Sequence, residues 1–255
     1  MAWDPSQYLK FAGQRLRPAI DLLNRIDVEE PGEIYDLGAG AGNVTQLLKA
    51  RWPKARITGV DESQEMLAKA AAAAPAITWE RADLATWRPP RPADVIYSNA
   101  ALHWLGHHDR VFPALLAALA PGGVLAVQMP RNFSAPSHTL IADVARGGPW
   151  REKLEPLLRP NPTAEPSFYF DVLAPHAALL DIWEIEYLQV LEGDDPVKEW
   201  VKGTWLKPLL DALDEPERPR FEQRYAELAA RAYPRRADGR TLFPFRRLFI
   251  VARAG

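Results

Sequence analysis

Cysteine is absent from this 255-residue chain. Its absence excludes disulfides, a thiolate nucleophile and any cysteine-built metal site, and no metal site of another kind is expected. No apolar run is long enough to span a bilayer. The opening Met1-Ala2-Trp3-Asp4-Pro5 shows no basic stretch followed by an apolar one, so no signal peptide is expected. The expectation is a cytoplasmic protein with no membrane partner and, by default, a monomer. There is little excess charge of either sign: 31 Lys and Arg against 33 Asp and Glu leave a formal net charge of −2. No global field draws in nucleic acid, so a bound anion has to be held by a local cluster of Arg, Lys and aromatic donors. Internal repeats are missing, as is any linker between domains, and low complexity is limited to the alanine run after Leu67. A composition 47% hydrophobic and 25% charged suits one α/β domain with a small helical addition.

Ile34-Tyr35-Asp36-Leu37-Gly38-Ala39-Gly40-Ala41-Gly42-Asn43 stands out: an acid in an apolar strand, then glycines at alternate positions. Val44, Leu47 and Leu48 then fall at helical spacing, and Asn43, with Gln46 three residues on, is expected to cap that helix. Strand, glycine turn and helix N-terminus together let a ligand approach bare backbone. A dinucleotide fingerprint requires its third glycine where Asn43 stands, and a phosphate loop requires a Gly-Lys-Ser/Thr ending that is missing. The D-x-G-x-G-x-G spacing resembles the first motif of the class I methyltransferases, which bind S-adenosylmethionine (SAM). Arg56-Ile57-Thr58-Gly59-Val60-Asp61 reads as a second strand ending in an acid roughly 20 residues past the glycines, the spacing at which a carboxylate grips ribose hydroxyls. The plain alternative is that Asp61 caps the helix from Gln64 to Ala74.

Residues 1–30 read as helical, with Pro18 suited to a first turn. Further strands are expected at Ile77–Glu80, Asp94–Asn99 and Val124–Met129, with a helix over Val111–Ala120 broken by Pro121-Gly122-Gly123. After Pro130, proline-rich helical segments precede an alternating strand at Leu180–Leu188. Helices at Val197–Leu213 and Phe221–Tyr233 follow, then a last strand at Arg247–Ala252. The alternation predicts a seven-stranded, mainly parallel sheet with helices on both faces. In such sheets ligands bind at the carboxyl ends of strands, and Gly40, Asp61, Asp83 and Asn99 all stand at such ends. Asp83 is expected to accept from an adenine amino group and Asn99 to lie near the methyl donor. The cofactor set is Asp36, Gly38, Gly40, Gly42, Asp61, Asp83, Leu84 and Asn99.

The resemblance extends further. Tyr8-Leu9-Lys10-Phe11, Arg15-x-Arg17-Pro18-Ala19, Ala82-Asp83-Leu84-Ala85-Thr86-Trp87, Asn99-Ala100, Gly123-Val124-Leu125-Ala126-Val127-Gln128-Met129-Pro130, Trp200-Val201 and Arg247-Leu248-Phe249-Ile250-Val251 together resemble the bacterial trans-aconitate 2-methyltransferases over essentially the whole chain. The resemblance implies a Rossmann-like class I methyltransferase domain over 1–255, with residues 1–30 and about 131–235 forming a helical cover over the active site. It also implies SAM-dependent esterification of one carboxylate of a small tricarboxylate, leaving S-adenosylhomocysteine. The chain departs from the family pattern in several places. Ala39, Ala41 and Val44 replace Cys, Pro and Ser of the glycine loop. His103 precedes Trp104 where Gln is usual, and Arg131 replaces an acid. Thr204-Trp205-Leu206-Lys207-Pro208 stands for Thr-Gly-Leu-Arg-Pro.

A carboxylate acceptor is already ionised at neutral pH, so no catalytic base is expected; alignment and desolvation do the work. Anion recognition falls to cations and to hydroxyl or indole donors, and the candidates are Tyr8, Arg17, His103, Trp104, Trp200 and Lys207. For each of them a packing role is the plain alternative. Two rival readings stay open: a SAM methyltransferase for another carboxylic acid or a hydroxyl, with His103 as its base, and an inert SAM-binding protein. The even charge balance and Ser98-Asn99-Ala100-Ala101 after the fourth strand argue against a nucleic-acid methyltransferase.

Overall fold

The structure, a computed structural model, describes residues 12–255, with side chains from residue 16 onward. Tyr8 and its neighbours therefore lie outside the described residues. The elements in order are α1 (Ala12–Asn24), β1 (Glu33–Leu37), α2 (Asn43–Arg51), β2 (Arg56–Asp61), α3 (Gln64–Ala73), β3 (Thr78–Arg81), β4 (Ala93–Asn99), a 3-10 turn (Leu102–Trp104), α4 (His108–Ala117) and β5 (Leu119–Pro130). Then come α5 (Pro136–Gly147), α6 (Arg151–Leu154), a second 3-10 turn (Glu155–Leu157), α7 (Pro166–Leu173) and β6 (Ala177–Leu191). The chain continues through α8 (Pro196–Val201), a π-helical turn (Lys202–Leu206), α9 (Lys207–Asp211), α10 (Glu217–Ala232) and β7 (Thr241–Ala254). No helix among the described residues is long and apolar enough to cross a membrane.

All seven strands form one sheet in the order β3-β2-β1-β4-β5-β7-β6. The first five run parallel, and β7 is antiparallel to β5. The central strands are buried almost end to end, as a sheet covered on both faces requires. Because β1 lies between β2 and β4, the strand order reverses there. The crevice of a doubly wound sheet opens beyond the carboxyl ends of the two strands at such a reversal, here β1 and β4.

Three local expectations are corrected. Pro18 sits in the middle of α1 rather than in its first turn. A proline there forfeits one backbone bond, and the buried face of Pro18, Ala19, Leu22 and Leu23 holds the helix nonetheless. Helix α4 begins and ends three residues earlier than periodicity suggests, entered through a left-handed His107 at φ 55°. Pro121-Gly122-Gly123 therefore breaks no helix. It lies inside β5, beside a slip in the β4–β5 pairing between Ala93 and Val95.

The chain divides into two compact units. One comprises Leu16–Pro130, Pro162–Ile185 and Arg247–Gly255; its core includes Leu37, Ile96, Phe112, Leu125, Tyr169 and Ile250. The other is built mainly from Arg131–Asn161 and Glu186–Arg246, around Ile141, Trp150, Trp200, Leu209, Phe221 and Phe243. Residues 16–30 and 162–185, which the sequence assigns to a cover, group with the sheet.

Candidate active site

In the sheet unit, the loop between β1 and α2 is tied to β2. The N–H groups of Gly38 and Ala39 donate to the Val60 carbonyl at 2.8 and 3.0 Å, and the Gly40 N–H donates to Asp61 Oδ2 at 2.9 Å. Asp61 Oδ1 accepts from the Ser63 N–H at 2.8 Å. Ser63, not Asp61, caps α3 through its Oγ, which removes the plain reading of that acid. Both Asp61 oxygens keep lone pairs for further donors.

Gly40 has φ 55°, and a Cβ there would meet only Met66 Cε, at 3.6 Å, so the loop is open on that side. Gly42, left-handed at φ 80°, takes the cap position expected of Asn43, and α2 starts without a side-chain cap. The physical reason is local: the turn at Gly42 delivers Asn43 already helical, and Gln46 Nε2 instead donates to the Gly42 carbonyl at 3.2 Å.

Asp36 is buried in β1, and Thr45 Oγ1 of α2 donates to its Oδ2 at 2.6 Å. Burial raises its pKa to about 7; the Thr45 hydrogen bond opposes that rise and the nearby Asp61 charge adds to it. Asp36 thus braces strand to helix beneath the loop. Asp83 is exposed after β3, with Oδ1 accepting from the Ala85 N–H at 2.9 Å. Leu84, half-buried, packs on the core of the sheet unit.

At the end of β4, Asn99 presents a buried Oδ1 with no hydrogen-bond partner among the described residues. Ala100 follows at φ 55°, a left-handed conformation costly for a residue with a Cβ. His103 and Trp104 lie on the next turn, their rings 4.5 Å apart. His103 is 4% exposed. Burial, then the positive charge of Arg247, lowers its pKa to about 3, so the ring is neutral at physiological pH.

The remaining candidates are scattered. Arg17 is exposed on α1, 4.0 Å from Asp21. In the helical unit, Trp200 packs against Phe243 and Phe245 in the core. Trp205 lies against Phe133 at 4.9 Å and His138 at 5.6 Å, and Lys207 Nζ reaches both oxygens of Asp211 on its own helix at 3.1 and 3.0 Å. For Trp200, Trp205 and Lys207 these contacts are those of the plain, packing alternative.

Two polar residues escaped the sequence-derived set. Gln128 on β5 is fully buried, and Arg247 on β7 is 5% exposed; Arg247 Nη1 donates to Gln128 Oε1 at 3.2 Å. The available signal was a glutamine inside Val124–Met129 and an arginine heading Leu-Phe-Ile-Val, each polar in an otherwise buried run. A surface cavity of about 390 Å³, lined by Glu33, Tyr35, Lys49, Arg56 and Arg91 among others, opens at the amino end of β1, away from the glycine loop. Arg56 and Arg91 there are engaged by Glu33.

Residues 34–123 match the family described as "Methyltransferase domain". The chain is 48% identical to a trans-aconitate 2-methyltransferase of Azoarcus sp. (strain BH72), over 98% of both chains. It belongs to the trans-aconitate 2-methyltransferase family. A member from Klebsiella pneumoniae (strain 342) is 47% identical, covering 98% of this chain and 97% of its own. Among solved structures, Haemonchus contortus phosphoethanolamine N-methyltransferase 2, in complex with phosphomonomethylethanolamine and S-adenosylhomocysteine, aligns with a TM-score of 0.57 at 14% identity. The alignment covers 94% of this chain and 53% of that one, and the likeness is one of fold.

Proposed function

We propose that this chain transfers the methyl group of SAM to one carboxylate of trans-aconitate, giving a monomethyl ester and S-adenosylhomocysteine. Near-full-length kinship to trans-aconitate 2-methyltransferases carries this reading. The residues present suit SAM. Gly40 leaves the loop open, and Asp61 is an acceptor for the ribose hydroxyls. Asn99 Oδ1, without a partner among the described residues, matches the ammonium of the amino-acid part. Asp83 is the acceptor for the adenine amino group. When bound, SAM supplies a sulfonium methyl whose carbon–sulfur bond breaks, the electron pair staying on sulfur, as a carboxylate oxygen forms the new bond.

No proton moves in that exchange, so this chain needs no base. Its residues have to hold the acceptor in line, where alignment can lower a barrier by roughly 7 to 11 kcal/mol. They also have to strip water from the carboxylate, because cation and anion cancel in the transition state and a drier site favours that. His103, neutral with a pKa of about 3, is too weak a base to activate a hydroxyl, which disfavours the hydroxyl-acceptor reading. The chain works on a free small acid, in the cytoplasm.

The test incubates the protein with labelled SAM and a panel of di- and tricarboxylates and identifies products by mass spectrometry. A monomethyl ester of trans-aconitate, formed faster than any other, is expected. Preference for another acid overturns the substrate, and transfer to a hydroxyl overturns the carboxyl reading.

A further inference from the structure

Among the described residues only three other than glycine are left-handed, and two of them, Ala100 and His107, both at φ 55°, frame one short segment. Such a bend strains a residue that carries a Cβ, and the strain persists only where the surroundings hold it. The segment, 100–107, runs from the end of β4 to the start of α4 and contains the 3-10 turn Leu102–Trp104. It sits against the glycine loop: a Cβ added at Gly38 would lie 2.1 Å from that of Ala101. The side chain that ties the segment down is His108, which is buried. Its Nε2 is 3.0 Å from the Leu102 carbonyl, and its Nδ1 is 2.8 Å from the Tyr169 hydroxyl. A carbonyl only accepts, so Nε2 carries the proton. Burial lowers the pKa of the ring, against the pull of the Leu102 and Leu105 carbonyls, and Nδ1 stays bare to accept from Tyr169. The Tyr169 hydroxyl accepts in turn from the Ala164 N–H at 3.2 Å. The Leu102 carbonyl also accepts the Leu105 N–H at 3.0 Å, so the turn closes without the imidazole. What the imidazole adds is an anchor to α4 and α7, all within the sheet unit.

We propose that His108 is a positioning residue for methyl transfer: its imidazole, braced by Tyr169, holds the strained segment 100–107 against the glycine loop, so that Asn99, His103 and Trp104 keep their places beside bound SAM. The proposal rests on the SAM site described above and not on which acid is the acceptor. It supplies what an alignment mechanism needs. A reaction with no base depends on walls that do not shift, and a displacement of about 1 Å far from the chemistry can cost about a hundredfold in rate. The segment is short, bent at both ends and in contact with the loop, so a loosened anchor is felt on the cofactor side at once.

Calorimetric titration of SAM and steady-state kinetics test it, at a temperature where melting curves show each variant folded. His108→Phe keeps a buried ring and loses both hydrogen bonds. The Kd for SAM should rise about tenfold, and kcat at saturating SAM should fall about tenfold. His108→Gln, whose amide offers a donor and an acceptor together, should bring both back to within about threefold of wild type. Adding Ala100→Gly to His108→Phe should recover at least about threefold in SAM affinity, because glycine is left-handed without strain. A role confined to stability would lower the melting temperature and leave Kd and kcat of the folded variants unchanged, which overturns the proposal. So does a His108→Gln no better than His108→Phe, or no recovery from Ala100→Gly. If His108→Phe fails to fold, Tyr169→Phe, which removes one hydroxyl, is read in its place. Its Kd for SAM should rise about threefold, and an unchanged Kd overturns the proposal. Wild type inactive on trans-aconitate overturns the substrate reading alone, because the SAM titrations need no acceptor.

Discussion

The Asp61 carboxylate accepts the backbone N–H of Gly40 at 2.9 Å. The acid proposed to grip the ribose therefore also sets the shape of the glycine loop. Asp61→Ala should lower SAM affinity about tenfold to a hundredfold, from loss of a charge-assisted acceptor worth about 1.5 to 3 kcal/mol and from a slackened loop. Calorimetric titration measures it, and wild-type affinity in a folded variant would remove Asp61 from the site.

Neighbouring glycines should fail differently. A Cβ at Gly38 would lie 2.1 Å from Ala101 Cβ, whereas one at Gly40 finds space. Gly38→Ala should cost on the order of 3 kcal/mol of stability, because the chain after β4 must move. Gly40→Ala should cost roughly 1 to 2 kcal/mol in backbone strain yet abolish most SAM binding. Equal melting temperatures for the two variants would contradict this division.

His103 should be replaceable. The family usually has glutamine there, and a neutral imidazole does nothing in this site that an amide cannot do. His103→Gln should keep kcat within about threefold and leave it flat from about pH 6 to 8, where neither a carboxylate nor this histidine titrates. The histidine also has a stability signature. With a folded pKa of about 3 against an ordinary 6.5, the unfolded chain binds the proton between those values. Its contribution is present above pH 6.5 and lost as pH falls toward 3. Melting temperature should drop less between pH 7 and 5 in His103→Gln than in wild type.

Asp36 runs with the opposite sign. Its carboxyl titrates at about 7 folded against 3.8, so the native state holds the extra proton and stability is lost as pH rises from about 4 to 7. Asp36→Asn keeps an acceptor for Thr45 without a buried charge. It should be more stable than wild type at pH 8, by up to about 4 kcal/mol for a shift of this size, with little difference at pH 4. Urea unfolding at both pH values checks it; a variant less stable than wild type at pH 8 refutes it.

Trp205 and Lys207, which differ from the family pattern, should prove inert toward substrate. Lys207→Arg should leave KM for trans-aconitate within about twofold, because the lysine is already held by Asp211. Trp205→Gly should cost on the order of 3 kcal/mol by emptying the space against Phe133 and His138, without widening the range of acids accepted. A changed acid preference in either variant would move the segment into the acceptor site.

The strand Arg56–Asp61 was legible to the residue, because Ile57, Gly59 and Val60 make a short buried run bounded by Arg56 and Asp61. The glycine loop and Asp61 were legible for a related reason: their spacing is set by a turn whose geometry permits few sequences. What periodicity could not give were features decided by tertiary contacts. Gly42 displaced Asn43 as the cap, α4 started at His108, and Pro121–Gly123 joined a strand. Gln128 and Arg247 were hidden in plain strands. They sit about 120 residues apart and only the β5–β7 pairing brings them together, so neither could be assigned a partner from the sequence.

Strand β7, formed by Thr241–Ala254, is inserted between β5 and β6, and β6 has no other neighbour in the sheet. During synthesis, then, the last of these seven strands to emerge is an interior one. A nascent chain some 240 residues long exposes β5 as an unpaired, mostly apolar edge and leaves β6 with nothing to pair with. The sheet closes, and Arg247 reaches Gln128, only when the final stretch has left the ribosome. Until then that edge is open to pairing with other chains, and its protection depends on how quickly one last ribbon slides into place.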